Sequence, residues 1–417
     1  MAKFSRRNFL KVSGAAGAAS GLALAGCQVG GGSSGPKKVV VIGGGFGGAT
    51  AARYLKHFDP SIDVTLVEVN TTYATCPGSN WVLGGLRKMS DITMTYDGLK
   101  AAGVKVVHDW VTGVSTGSRK VSLKGGGSLP YDRLIVSPGV DFDPMEGYDE
   151  NHNPHAWKAG PQTDALRKQL EAMPDGGTFV IVPPPNPFRC PPGPAERISM
   201  VAHYFKQHKP KSKIIAVDVK PKFSKQGLFV EGWKANYDGM INYMHQQTIE
   251  GIDFKNRVVK TEFDDIKADV LNYIPPQKAG WIAKEAGLVD DKGWCPVDHK
   301  TWESTQQANV HVIGDAAHQS PLPKSGYAAN SEAKVCAAAV ADLLNGREPG
   351  DPSWVNTCYS LVAPTYGISV AAVYNLEGGK VASVKGAGGL SGKDTSRQLE
   401  AVYAESWWSN ITKEIWG

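Results

Sequence analysis

Six cysteines carry the reactive sulfur of this 417-residue chain: Cys27, Cys76, Cys190, Cys295, Cys336 and Cys358. No two of them form a CxxC pair, so a structural zinc site is not expected, and no CxxCH is present to attach a c-type haem. The histidines add no paired metal spacing; His311 and His318 read as strand-end and loop residues. Cys190 has the most unusual setting, "VPPPNPFRCPPGPAER" (residues 182–197), between an apolar run at 178–182 and a segment that reads as a helix from Arg197 to about His208. A strand-to-helix turn binds nucleotide phosphates when its backbone N–H groups are free. Pro183, Pro184, Pro185, Pro187, Pro191, Pro192 and Pro194 have no N–H to give, and Gly193 stands alone among them. The turn is therefore a poor NAD(P)H site and reads as a stiff mount for the Cys190 thiol.

A second turn has the opposite chemistry. "KKVVVIGGGFGGATAARYLKHF" is a buried strand running into Gly43-x-Gly45-x-x-Gly48 and then a helix. The three glycines suit a tight turn, close approach of backbone to a pyrophosphate, and close helix–strand packing. Glu68 ends the next apolar strand, twenty residues after Gly48, where it can accept adenosine ribose hydroxyls. Far along the chain, "ANVHVIGDAA" (308–317) is an apolar strand ending in Gly314-Asp315, and in two-dinucleotide flavoproteins such an aspartate holds the ribityl chain of FAD. The following helix starts near Ser325, so Ser325, Gly326 and Tyr327 would present its N-terminus to the flavin pyrimidine edge. FAD is the expected cofactor. "YDRLIVSPGV" (131–140) closes the same unit, and residues 104–123 alternate as a β-meander.

These groups need a frame of more than one domain, since 417 residues exceed a single compact core. The first 27 residues are an address: "SRRNFLK" is a twin-arginine signal followed by a small-residue run and the lipobox-like "LAGC" ending at Cys27. Either Cys27 carries a lipid and tethers the chain to a membrane, or it is lost near a cleavage site; residues 28–36 form a Gly/Ser tether. Removing Lys3, Arg6, Arg7 and Lys11 from the 45 basic residues leaves 41 against 40 acidic ones, which gives no electrostatic case for nucleic acid. The fold class is α/β. Residues 37–145 with 277–348 form a discontinuous FAD-binding domain, 146–276 a second Rossmann-like domain without a phosphate loop, and 349–417 a C-terminal α+β domain ending in an amphipathic helix.

"PFRCPPGPAER", "HAWKAGPQT", "GWCPVD", "PKSGYAAN", "NTCYSLVAPTYGISVAAVY" and "SWWSN" together resemble the flavoprotein subunit of flavocytochrome c sulfide dehydrogenase, from about residue 37 to the C-terminus. The resemblance implies two glutathione-reductase-like dinucleotide domains. It also implies a periplasmic enzyme that oxidises sulfide at FAD and passes electrons to a separate cytochrome c subunit. By the same resemblance, Cys76 joins the flavin 8α carbon in a thioether, and Cys190 pairs with Cys358 as a disulfide over the flavin. Glu196 handles protons (or serves its helix start), and Trp407 lies near the flavin. The chain departs from the family in having Pro77-Gly78 after Cys76, where a bulkier pair is expected, and Ala317 where some members have a cysteine. Cys295 and Cys336 read as structural thiols.

Sulfide could attack the disulfide first or the flavin directly, and residue types do not choose between them. Two other functions share this pattern. A sulfide:quinone oxidoreductase would deliver electrons to membrane quinone, but Glu400, Glu405, Lys413 and Glu414 interrupt the apolar tail. A redox-inactive sulfur-binding or assembly subunit would not need intact Gly43, Gly45, Gly48, Glu68 and Asp315.

Overall fold

The computed structural model describes residues 35–417; the twin-arginine signal, Cys27 and most of the tether lie outside the described residues. The apolar run Lys38–Ile42 forms the centre of a five-stranded parallel sheet in the order Val310–Val312, Arg133–Val136, Lys38–Ile42, Asp63–Val67, Lys105–Val107. Such strands are apolar on both faces because both faces are covered, and the meander's Val111 and Val121 are buried in the same core. Helices Phe46–Phe58 and Gly326–Leu344 pack together on one side, tied by a 3.0 Å hydrogen bond from Asn330 to Thr50. Lys105–Val107 belongs to this parallel sheet, so the expected meander begins only at Val111–Ser115 and continues through Lys120–Leu123 and Ser128–Pro130. Lys105 is exposed while Val106 and Val107 are half-buried, so an alternating pattern is compatible with this edge position.

The strand Thr178–Val182 is the core of a second parallel sheet, flanked by Lys213–Val217 and Val270–Tyr273, with Ile241–Met244 at the edge. The helix after the proline turn runs Gly193–His208, starting four residues earlier than expected because Pro194 is tolerated in a first turn. Paired strands Val140–Phe142 and Gln277–Ala279 mark where the chain passes between the two sheets.

The C-terminal segment is a three-stranded antiparallel sheet, Ser353–Ala363, Tyr366–Glu377 and Lys380–Leu390, followed by helix Arg397–Trp416. That helix returns to the first sheet: Trp416 stacks on Tyr73 at 5.3 Å between ring centroids and meets Phe46 edge-on at 5.2 Å. Its Glu400 is buried and accepts hydrogen bonds from Ser369 (2.9 Å) and Ser391 (2.5 Å), so this charge braces the sheet and does not interrupt an exposed face.

Candidate active site

The glycine turn forms one end of a groove of about 730 Å³. Gly43 has φ +95° and a Cβ there would lie 2.3 Å from the Ser137 carbonyl oxygen, while a Cβ on Gly48 would lie 1.9 Å from that of Gly43. Only glycine fits either place. Gly45 caps the helix, and Gly44 N–H donates to Glu68 at 2.8 Å, so Glu68 is fixed at the groove wall by the loop itself. Asn70 holds the other Glu68 oxygen through its N–H (3.0 Å) and side-chain amide (2.9 Å). The groove runs past Ser137, Pro138 and Tyr73 to Cys76 and Arg189. Asp315, with its side chain 13% exposed, has one carboxylate oxygen 3.9 Å from Arg189 and the other without any hydrogen-bond partner. Burial pushes its carboxyl above the usual range, against Arg189 and Lys324. An orphaned buried acceptor beside a glycine-lined cradle fits the hydroxyls and pyrophosphate of FAD.

Beyond Cys76 lies a second, smaller cavity of about 90 Å³, which shares Cys76 and Arg189 with the groove and is also lined by Cys190 and Cys358. Three cysteines spread over more than 280 positions of the chain thus converge on one space. Cys76 Sγ donates to the Trp157 carbonyl at 3.4 Å. The loop after it is clamped by Trp408, whose Nε1 donates to the Pro77 carbonyl at 3.0 Å; a Cβ on Gly78, at φ +90°, would press on that indole at 3.2 Å. Pro77-Gly78 is therefore fitted to Trp408, and a bulkier residue at 78 would displace the clamp.

Cys190 has φ +61° in the proline turn. Its N–H donates to the Lys324 carbonyl (2.7 Å), Gly193 N–H donates to the Cys190 carbonyl (2.8 Å), and Arg189 N–H donates to Gln277 (2.9 Å). Burial pushes the Cys190 thiol up, and Cys358 and Glu196 add to it. The expected disulfide is not formed: Cys190 and Cys358 are both free thiols. Cys358 Sγ is instead 3.5 Å from the Asn356 amide nitrogen, and Cys190 Sγ faces Gly193.

Glu196 lies in the first turn of its helix, and its carboxylate accepts from Asn80 Nδ2 (3.0 Å), Trp81 Nε1 (3.3 Å) and Leu361 N–H (2.9 Å), joining three elements at the cavity wall. Ser325 caps helix Gly326–Leu344 by accepting from Ala328 N–H at 3.1 Å and donates to Asn356 at 2.6 Å. Gly326 packs under Phe46, and Tyr327 meets Trp407 edge-on at 6.1 Å. Tyr327 and Trp407 line the cavity, where Trp407 Nε1 has no hydrogen-bond partner. Cys295 and Cys336 are fully buried. His318 pairs with Asp290 at 2.8 Å, and His311 Nδ1 lies 2.9 Å from the Thr301 carbonyl.

Residue types alone did not point to Arg189, Arg197, Lys225 or Glu332. Arg189 could have been found from its place beside Cys190. Glu332 is wholly buried behind Gly314, whose N–H it accepts at 2.7 Å; burial pushes its carboxyl up to about 8. Lys324 lies over the Trp294 ring and donates to the Asp315 (2.7 Å) and Ala317 (2.8 Å) carbonyls, and burial pushes its ammonium down to about 8.

Three family models match parts of the chain. A pyridine nucleotide-disulphide oxidoreductase model matches residues 37–182, the central model of the sulfide dehydrogenase [flavocytochrome c] flavoprotein chain matches 163–275, and a flavocytochrome c sulphide dehydrogenase flavin-binding model matches 350–416. Residues 3–23 match a twin-arginine translocation signal sequence. The mitochondrial sulfide:quinone oxidoreductase of Dictyostelium discoideum is 24% identical over 319 residues, 72% of this chain and 68% of that protein. The sulfide dehydrogenase [flavocytochrome c] flavoprotein chain of Chlorobaculum thiosulfatiphilum is 65% identical over 37 residues, 9% of this chain and 77% of that sequence. Among solved structures, the sulfide:quinone oxidoreductase of Aquifex aeolicus superposes with a TM-score of 0.69 at 16% identity, covering 91% of this chain and 92% of that one. The NAD-dependent persulfide reductase of A. fulgidus gives 0.60 at 15% identity over 90% and 77%. These last two likenesses establish the fold. The pyridine nucleotide-disulphide oxidoreductase model, with the glycine groove and its orphaned aspartate, defines a FAD-dependent oxidoreductase of that class. Within that class, the chain belongs to the family of flavocytochrome c sulfide dehydrogenase flavoprotein chains.

Proposed function

We propose that this chain is an exported sulfide dehydrogenase that takes HS⁻ into the small cavity, oxidises it to sulfane sulfur, and delivers the electrons to a separate cytochrome c subunit. The convergence of Cys76, Cys190 and Cys358 on one cavity that shares Cys76 and Arg189 with the dinucleotide groove carries this reading. FAD, when bound, supplies the two-electron oxidant. Gly43, Gly45 and Gly48 would admit its pyrophosphate, Glu68 and Asp315 its hydroxyls, and Ser325, Gly326 and Tyr327 would face its ring from a helix start. Cys76, on its clamped loop, would retain it through a thioether.

In the oxidised enzyme Cys190 and Cys358 would form a disulfide. HS⁻ attacks one sulfur, a new S–S bond forms as the old one breaks, one cysteine becomes a persulfide and the other leaves as a thiolate. The stiff turn fixes one sulfur and the strand Ser353–Ala363 the other. Glu196 uses three of its roughly four acceptor sites on Asn80, Trp81 and Leu361, leaving one toward the cavity to take the proton of the incoming sulfur. The turn's Arg189, Cys190 and Gly193 N–H groups are all engaged within the protein, which supports a donor other than NAD(P)H.

The twin-arginine match supports a periplasmic location, and Cys27 in its lipobox-like setting is the proposed membrane tether. Among the described residues no helix is long and apolar enough to cross a membrane. To test the reading, purified protein reduced by sulfide is offered a c-type cytochrome or a soluble quinone analogue. Rapid reoxidation by the cytochrome is expected; reoxidation by the quinone alone would assign the chain a quinone-linked role, and failure of sulfide to reduce it would end the proposal.

A further inference from the structure

Buried cations are rarely left without a counter-charge, because desolvation penalises them. Three Lys or Arg side chains are buried among the described residues, and one of them obeys: Lys220 lies 2.8 Å from Asp218. Two do not. Arg197, 1% exposed, and Lys225, 5% exposed, make no ion pair among the described residues. Both stand at the cysteine cavity. Arg197 lines it, and its nitrogens are spent on neutral groups: the Asn80 and Asn272 side chains and the His155 and Ala156 carbonyls.

Lys225 lies one layer behind the wall. Its Nζ donates to the Cys358 carbonyl at 2.9 Å and to Ser360 Oγ at 2.8 Å. Cys358 and Ser360 are two apart on one strand, so their side chains point to the same face, and both line the cavity. Lys225 also has φ +59°, a conformation unfavourable for a side chain of its size, so the turn is held in place by its surroundings. Of the ionisable groups around it, Cys358 is the foremost, followed by Glu196, Cys190 and Glu400. Glu196 and Glu400 already spend their charge on other donors. Cys358 is also faced by Tyr374, and Cys190 by Glu196, Cys76 and Arg189.

We propose that Lys225 is a positioning residue for anionic sulfur at Cys358, with Arg197 as the second cation of a site whose counter-charge arrives only during turnover. When HS⁻ opens the disulfide, its negative charge stays in the cavity as a thiolate or persulfide anion, and no ion pair need be broken to receive it. Only the identity of that anion rests on the sulfide reading.

The test uses FAD-loaded protein with the thiols reduced, and iodoacetamide as the probe, with Cys358 alkylation followed by peptide mass spectrometry across pH. Lys225→Met should move the rise in alkylation rate to higher pH and slow the reaction near neutrality on the order of tenfold, whereas Lys225→Arg should restore the wild-type profile. An unshifted profile in Lys225→Met, or an Arg variant no better than Met, overturns the proposal. Should Lys225→Met fail to fold, Ser360→Ala removes one Nζ partner and should shift the profile in the same direction by a smaller amount; no shift there overturns it equally. Because the assay contains no sulfide, a shifted profile in a protein inert to sulfide would retain the cation site and sink only the functional reading.

Discussion

Replacing Glu196 with Gln separates a brace from a proton acceptor. The carboxylate holds Asn80 Nδ2 on one oxygen and both Trp81 Nε1 and Leu361 N–H on the other. A glutamine oxygen can keep the latter two, but its amide then turns a donor toward the Asn80 donor. Asn80 cannot flip to accommodate it, because its Oδ1 accepts from Arg197 Nε at 3.1 Å and its Nδ2 also donates to the Gly193 carbonyl at 3.1 Å. One charge-assisted hydrogen bond is lost, at about 1.5–3 kcal/mol, and two donors are left facing each other. A loss of about 3 kcal/mol is expected for Glu196→Gln, read by urea unfolding of the flavin-loaded protein. If the remaining acceptor site takes the proton of incoming sulfide, sulfide-dependent bleaching in a stopped-flow instrument should slow by roughly 10²–10⁴-fold. Stability within about 0.5 kcal/mol of wild type would refute the three-donor brace. Bleaching at the wild-type rate in a destabilised variant would remove Glu196 from proton transfer and leave it a brace alone.

Acid precipitation of the holoprotein should leave flavin in the pellet, and Cys76→Ser should release it to the supernatant; flavin free in both would end the thioether assignment. Cys190→Ser and Cys358→Ser should each cut sulfide turnover on the order of a hundredfold, roughly 2.7 kcal/mol of barrier, with the double variant little worse than either, since the pair acts as one unit. Turnover near wild type in folded, flavin-loaded Cys190→Ser would make the flavin itself the point of sulfide attack. Glu332, with its carboxyl raised from 4.5 to about 8 by burial, keeps a proton in the folded chain that the unfolded chain releases. Stability should therefore fall as pH rises from about 4.5 to about 8, by up to about 1.4 kcal/mol per unit. Glu332→Gln should flatten that slope in urea titrations at several pH values, and an unchanged slope would mean that Glu332 is ionised when folded.

What could be read from residue order was whatever depends on neighbours. Val39–Ile42 announces a buried parallel strand because it is apolar throughout, and the glycines after it are needed within a few residues of one another. The proline turn betrays its poverty in N–H groups by composition alone. The charges of the site were hidden for the opposite reason. Lys225 sits in the polar run "PKFSKQG", which reads as a solvated loop; its burial is created by a strand whose Cys358 and Ser360 lie 133 and 135 residues further on. Arg197 likewise looks like an exposed helix residue until His155, Ala156 and Asn272 close over it. Trp408 gives no local hint that it reaches back 331 positions to the loop holding Cys76. The same asymmetry applies to the cysteines. Side-chain type marks each as a possible nucleophile, but whether a thiol is reactive depends on the cations beside it, and those are supplied across domain-scale distances in the chain. A charge without a partner in its own segment is thus the feature to seek in such sequences. It is invisible as chemistry until the fold shows that no carboxylate meets it.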